Sequence, residues 1–162
     1  MWVYLGLAIV TSIVLVLLAK QDLREQMVYA VPVILLHLIW CMYIWTKFDF
    51  TADFLVVFWS IHLVLYILFN RIGIWGAGDS DWFMLFADIC LIGVKAESTH
   101  LLVFGECVFL ICALMFSIFI GKIDARKKGK SYGIDTAIAA TPGMAIVIIV
   151  LLFCGWIWRF VQ

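Results

Sequence analysis

Charge is what this sequence has least of. Only 14% of its 162 residues are Asp, Glu, Lys or Arg, against about a quarter in an ordinary soluble domain. The 11 basic and 11 acidic residues cancel, and the one basic cluster sits in a single stretch. That excludes nucleic acid as a partner, since its binders carry a broad basic surface. Proline occurs twice, as Pro32 and Pro142, so long helices can run uninterrupted. The five cysteines, Cys41, Cys90, Cys107, Cys112 and Cys154, form no CxxC pair, and the nearest spacing is Cys107-x4-Cys112. They read as small apolar side chains rather than a zinc site or a disulfide framework. Met1 to Leu18 lacks a basic leader before its apolar run and a small-residue cleavage site after it, which makes it a retained first span rather than a signal peptide. No internal repeat of the kind found in many transporters is visible.

What is present is apolar surface. Hydrophobic residues make up 67% of the chain, arranged as six stretches with short polar breaks. A bilayer core needs about 20 apolar residues per helix, so six spans and their loops consume the chain and make residues 1–162 one integral-membrane domain. The expected fold is all-α, a polytopic membrane protein of six transmembrane helices. The expected spans run from Met1 to Ala19, Met27 to Trp45, Phe54 to Phe69, Trp82 to Val94, Leu101 to Ile120 and Thr136 to Val161. The fourth is short. The sixth contains Pro142-Gly143, read as a kink or a break, and the longest loop is Gly121 to Asp135.

Orientation follows from Lys and Arg, which concentrate in cytoplasmic loops. Lys20, Arg24, Arg71, Lys122, Arg126, Lys127, Lys128 and Lys130 fall in the odd-numbered loops, and only Lys47, Lys95 and Arg159 fall on the other side. Both termini are therefore expected on the non-cytoplasmic side of the cytoplasmic (inner) membrane. Trp2, Tyr4, Trp156 and Trp158 then form an outer aromatic belt.

Midway along, Gly76-Ala77-Gly78-Asp79 interrupts the apolar pattern and delivers a carboxylate to the mouth of span four. A carboxylate there is costly unless something uses it. Asp22 closes span one, so the topology brings both acids to the cytoplasmic surface although 57 residues separate them. Singly, Asp79 reads as a helix N-cap and Asp22 as a solvated interfacial charge. Together they can act as a catalytic pair. Two close aspartates tend to share one proton, so the charged one can activate water while the protonated one polarises a carbonyl. Neither a metal nor a serine nucleophile is required.

The segments Gln21-Asp22-Leu23-Arg24, Gly76-Ala77-Gly78-Asp79 and Thr141-Pro142-Gly143 resemble the type IV prepilin peptidases across essentially the whole chain. The resemblance implies an integral-membrane aspartic endopeptidase, without cofactor or metal, whose catalytic residues are Asp22 and Asp79. Gly76 and Gly78 would let substrate approach the backbone. The implied substrate is a prepilin or pseudopilin with a short basic leader and a hydrophobic helix, cut between the two at the cytoplasmic face. The family favours lysine two residues after the GxGD aspartate, where this chain has Asp81, either a supporting acid or a charge facing the cytosol. Where the family often has Ile-Pro-Asn after the first aspartate, this chain departs from it with Val28-Tyr29-Ala30 and a displaced Pro32. The family's cytoplasmic region with two CxxC pairs has no counterpart, so peptidase activity without methyl transfer is expected. Presenilin-type proteases share the GxGD aspartate but need more spans. A reading of another class is a small transporter, channel or assembly subunit, with Asp22, Asp79 and Asp88 as a polar pathway.

The remaining polar residues carry blander expectations. Asp88 is a candidate for function or for a helix–helix hydrogen bond. His37 and His62 are expected to bond between helices, with no partners that would complete a ligand set. Glu106 is placed at the outer interface near lipid headgroups, and the Arg126 to Lys130 run at the inner one.

Overall fold

An apolar segment that cannot give its backbone polar groups to water satisfies them within a helix. A computed structural model describes residues 2–25, 27–72, 77–94, 99–129 and 140–161, with the side chains of 77–80 and 159–161 outside the description. Six helices account for nearly all of it: α1 (Trp2–Glu25), α2 (Ala30–Lys47), α3 (Ala52–Ile72), α4 (Ala77–Gly93), α5 (Thr99–Lys127) and α6 (Thr141–Val161). Five are long and apolar enough to cross a membrane. α4, with 17 residues, spans about 25 Å at 1.5 Å per residue, short of the roughly 30 Å of a hydrocarbon core. The chain is an all-α, multi-pass membrane protein.

The helix ends follow local chemistry. Thr51 caps α3, its hydroxyl accepting from Phe54 N at 3.3 Å. Pro32 occupies the first turn of α2, where its missing N–H leaves no bond unmade. α5 closes through Lys128 N to Asp124 O and Gly129 N to Arg126 O. Gly129 has φ +64, a left-handed conformation that glycine adopts without a Cβ penalty.

Several boundaries differ from the sequence expectation, and α1 runs six residues past Ala19 to Glu25, so Asp22 lies within the helix rather than beyond its end. α2 starts at Ala30, three residues after Met27, and α4 starts at Ala77, which puts Asp79 and Asp81 in its first turns rather than ahead of the helix. α5 continues to Lys127, so Asp124, Arg126 and Lys127 project from a helix that outruns its apolar stretch. α6 begins at Thr141, so Pro142 lies in its first turn; of the two expected roles it marks a break before the helix rather than a kink within it, and the expected start of the span at Thr136 lies outside the described residues. A proline that starts a helix and one that bends it look alike when the preceding residues are apolar too.

α4 is the hub and packs against α2, α3, α5 and α6. Trp82, Phe83, Leu85, Phe86, Ala87, Ile89, Cys90, Leu91 and Ile92 are all buried, the all-round apolar pattern of a helix enclosed by others. α3 and α5 instead leave Val57, Ile61, Val64, Met115 and Phe119 exposed, faces that suit lipid. All five cysteines are free thiols, with Cys90 buried but Cys107 and Cys154 exposed, so only some fit the expected buried role.

Specific contacts lock the outer helices together. Tyr4 is fully buried, which corrects its expected place in an outer aromatic belt; its hydroxyl donates to Leu152 O at 2.8 Å, tying the start of α1 to the later half of α6. Its ring meets Trp40 of α2 edge-on at 5.5 Å. Trp40 in turn donates from Nε1 to Thr11 Oγ1 at 3.0 Å. Tyr4→Phe keeps the ring and loses one interhelical bond. It should destabilise the protein by about 1 kcal/mol, read as a small drop in thermal midpoint in detergent; a midpoint unchanged or raised would mean the bond contributes nothing.

Candidate active site at the start of the sixth helix

The first N–H groups of a helix have no partners within it. In α6 they are supplied from neighbouring helices. Thr141 N donates to Asp22 Oδ2 at 3.2 Å, Pro142 has no N–H, and Gly143 N donates to Ser117 Oγ of α5 at 3.1 Å. The Ser117 hydroxyl completes the link by donating to Ala140 O at 2.7 Å. The Thr141-Pro142-Gly143 segment is thus a helix start built to receive two side chains. The positive end of the α6 dipole faces the Asp22 carboxylate.

Asp22 is only 5% exposed. The bland expectation of a solvated interfacial charge does not describe it. The Thr141 hydroxyl beside it is also buried and has no partner among the described residues, an orphaned polar atom of the kind that marks a place for water or ligand. An apolar cleft of about 280 Å³ opens next to this turn, lined by Val16, Ala19, Lys20 and Leu23 of α1, Ile120 of α5, and Pro142, Ala145, Ile146 and Ile149 of α6. Lys128, at the end of α5, donates to Leu23 O at 2.8 Å and pairs with Asp124 at 2.6 Å. The end of α1, the end of α5 and the start of α6 therefore share one end of the bundle.

α4 runs in the direction that brings its start to the same end. Gly93, its last residue, lies against Leu151 of α6, and Gly155 of α6 lies against Ile92, Gly93 and Tyr4. The finish of α4 is thus beside the beginning of α1, and its opening turn, which carries Asp79, is at the Asp22 end. The Asp79 side chain and Gly76 lie outside the described residues. Gly78 falls in the first turn of α4.

Asp81, one turn from the helix start, is 8% exposed and accepts from Tyr66 Oη of α3 at 3.1 Å. It does not face the cytosol, one of its two expected roles. It precedes the apolar run from Trp82. Burial pushes its carboxyl above the ordinary carboxylate range, with the Tyr66 hydrogen bond opposing the shift.

A second polar cluster lies deeper. Asp88 is fully buried in α4, nine residues and roughly 14 Å along the axis beyond Asp79. It meets His37 Nδ1 of α2 at 2.6 Å and accepts from Trp59 Nε1 of α3 at 3.0 Å. Cys41 Sγ, one turn along α2 from His37, is 3.7 Å from each Asp88 oxygen. His37 therefore bonds between helices as expected, but the expectation that nothing joins it into a ligand set is corrected: Cys41 and Asp88 both reach it. His37-x3-Cys41 on one helical face was the signal available for this. His62 bonds to Phe58 O within α3 at 2.8 Å and meets Glu106 Oε2 of α5 at 3.4 Å. Glu106 is only 14% exposed, so its expected place among lipid headgroups is also corrected.

No protein-family model, curated protein or solved structure matches the chain.

Proposed function

We propose that this protein is a membrane aspartic endopeptidase of the prepilin-peptidase kind, with Asp22 and Asp79 as its catalytic pair at the cytoplasmic face of the cell membrane. The observation that carries the reading is the buried Asp22 carboxylate at the start of α6, at the bundle end where α4 begins with Asp79. A carboxylate is desolvated here, fixed by a backbone donor and set beside an apolar cleft.

The chemistry needs little else. One aspartate, ionised, takes a proton from water as that water attacks the scissile carbonyl. The other, protonated, hydrogen-bonds the carbonyl oxygen as negative charge develops. The proton then passes to the leaving amine as the tetrahedral intermediate collapses. The acid constants belong to the pair rather than to either residue. The hydrophobic helix of a prepilin-like substrate suits the cleft between α1, α5 and α6, and seating it there would orient the leader junction toward the acids. Gly76 and Gly78 remove side chains from the approach, and Asp81 supports the opening turn of α4 through Tyr66.

Co-expression with a prepilin tests the reading on a gel: the wild-type chain should shorten the substrate by its leader, and an unshortened prepilin beside well-accumulated enzyme would count against it. Asp81→Asn keeps an acceptor for Tyr66 and should slow leader removal far less than Asp22→Asn; an equal loss would move Asp81 into the catalytic set.

A transporter, channel or assembly subunit is the second reading, favoured by the depth of the Asp88 cluster within the bundle. Under it the pathway includes Asp88, so Asp88→Asn should abolish function along with Asp22→Asn and Asp79→Asn, whereas a peptidase should keep leader removal in Asp88→Asn.

A further inference from the structure

The proposed peptidase chemistry has no use for His37, Cys41 and Asp88, yet these three are brought together between α2 and α4. Their donor atoms all lie within 4.8 Å of one another. We propose that they bind one divalent transition-metal ion of the zinc class, held between the two helices.

The spacing fits such an ion. With bonds of about 2.0–2.3 Å, tetrahedral ligand atoms stand about 3.4–3.6 Å apart. Cys41 Sγ is 3.5 Å from His37 Nδ1 and 3.7 Å from either Asp88 oxygen. Only the His37–Asp88 separation, 2.6 Å, is that of a direct hydrogen bond, and it has to open by about 0.8 Å to the tetrahedral value. The donor set of one nitrogen, one sulfur and one oxygen is that of a borderline metal rather than of magnesium or calcium.

Charge balance favours the same occupant. Neutral imidazole, thiolate and carboxylate around a divalent cation sum to zero, which matters where an unbalanced charge has no water to face. Binding replaces the Cys41 thiol proton, which leaves to water. The proton shared by His37 Nδ1 and Asp88 Oδ2 has to leave that contact, and by exchange through water the imidazole carries its proton at Nε2, which leaves Nδ1 and Oδ2 both free to ligate. The outer contact is also in place. Trp59 Nε1 holds Asp88 Oδ1 at 3.0 Å, leaving Oδ2 turned toward His37, as a supporting donor orients a ligating carboxylate.

The test is titration of the purified protein in detergent with cobalt(II) alone, followed by zinc(II) alone. One cobalt per chain should bind, with a thiolate-to-metal charge-transfer band and tetrahedral visible bands that zinc removes. Cys41→Ser should abolish the charge-transfer band, and His37→Gln should weaken binding by at least about 100-fold, beyond the loss usual for an outer contact. Trp59→Phe should weaken it by about 10- to 100-fold. Zinc should raise the thermal midpoint of the wild-type protein and leave that of folded Cys41→Ser unmoved. Cys112→Ser and Asp22→Asn should bind cobalt as the wild type does, so the site stands or falls independently of the peptidase reading. No cobalt band from folded protein overturns the proposal. So does a band that persists in Cys41→Ser, because the exposed thiols Cys107 and Cys154 would then be its source.

Discussion

Asp22→Asn and Asp79→Asn should each remove leader-peptidase activity by at least about 10²–10⁴-fold, the contribution of a positioned acid or base, while the protein remains folded in the membrane. The asparagine at position 22 separates chemistry from architecture. Its amide oxygen can still accept from Thr141 N, so the cap on α6 survives while the titrating oxygen is lost. Asp22→Ala removes both. It leaves a buried N–H unpaired and should cost a further 1–3 kcal/mol or so of stability. Matched loss of activity in the two Asn variants, with a stability loss confined to the Ala variant, is the pattern a catalytic carboxylate gives. A purely structural Asp22 would leave the Asn variant active.

Gly143→Ala should be among the most damaging single-methyl additions in the chain. In a helix that change is ordinarily favourable by about 0.5–1 kcal/mol. Here the new Cβ would overlap Ala113 O and the Ser117 side chain of α5. One of these is backbone and cannot turn aside, so α5 and α6 must separate and the Ser117 bridge to Ala140 and Gly143 must lengthen. A cost of about 3 kcal/mol is expected, a drop in thermal midpoint of roughly 6–12 °C for a chain of this size. Gly6→Ala is the control, because a Cβ there meets nothing within 4 Å. Equal behaviour of the two variants would contradict the close α5–α6 crossing. The same substitution should also weaken leader removal, since it displaces the helix start that holds Asp22.

Much of this architecture is legible without coordinates. Runs of apolar residues broken by Lys, Asp and Gly clusters yield the helices, because a chain in lipid has few other ways to satisfy its backbone. Helix faces are harder. α4 is apolar nearly all round, so periodicity cannot say which side meets α2 and which meets α6. Burial instead comes from its central position. The Asp22 contact is invisible for a related reason: Thr141 lies 119 residues away, and nothing local in Gln21-Asp22-Leu23 signals a partner at another helix start. The position of Glu106 near the start of span five suggests the headgroup region, and nothing local signals its partner, His62 on α3. Kink and break cannot be told apart at Pro142 from sequence, because Thr136 to Thr141 looks as helical as the residues after it. The His37-x3-Cys41 pair could have been found from spacing, but Asp88 completes it only through the packing of α2 on α4.

The convergence of Asp22 and Asp79 is the claim on which the account turns, and a paired-cysteine experiment reads it directly. In a chain whose five native cysteines are replaced, Asp22→Cys combined with Asp79→Cys should form a disulfide rapidly under mild oxidation in membranes, because a bridge requires Cα atoms within about 4.4–6.8 Å. Asp22→Cys with Thr141→Cys serves as the positive control, the two residues being in contact. Cross-linking of both pairs is the predicted result. A control pair that links while positions 22 and 79 stay reduced would contradict the dyad.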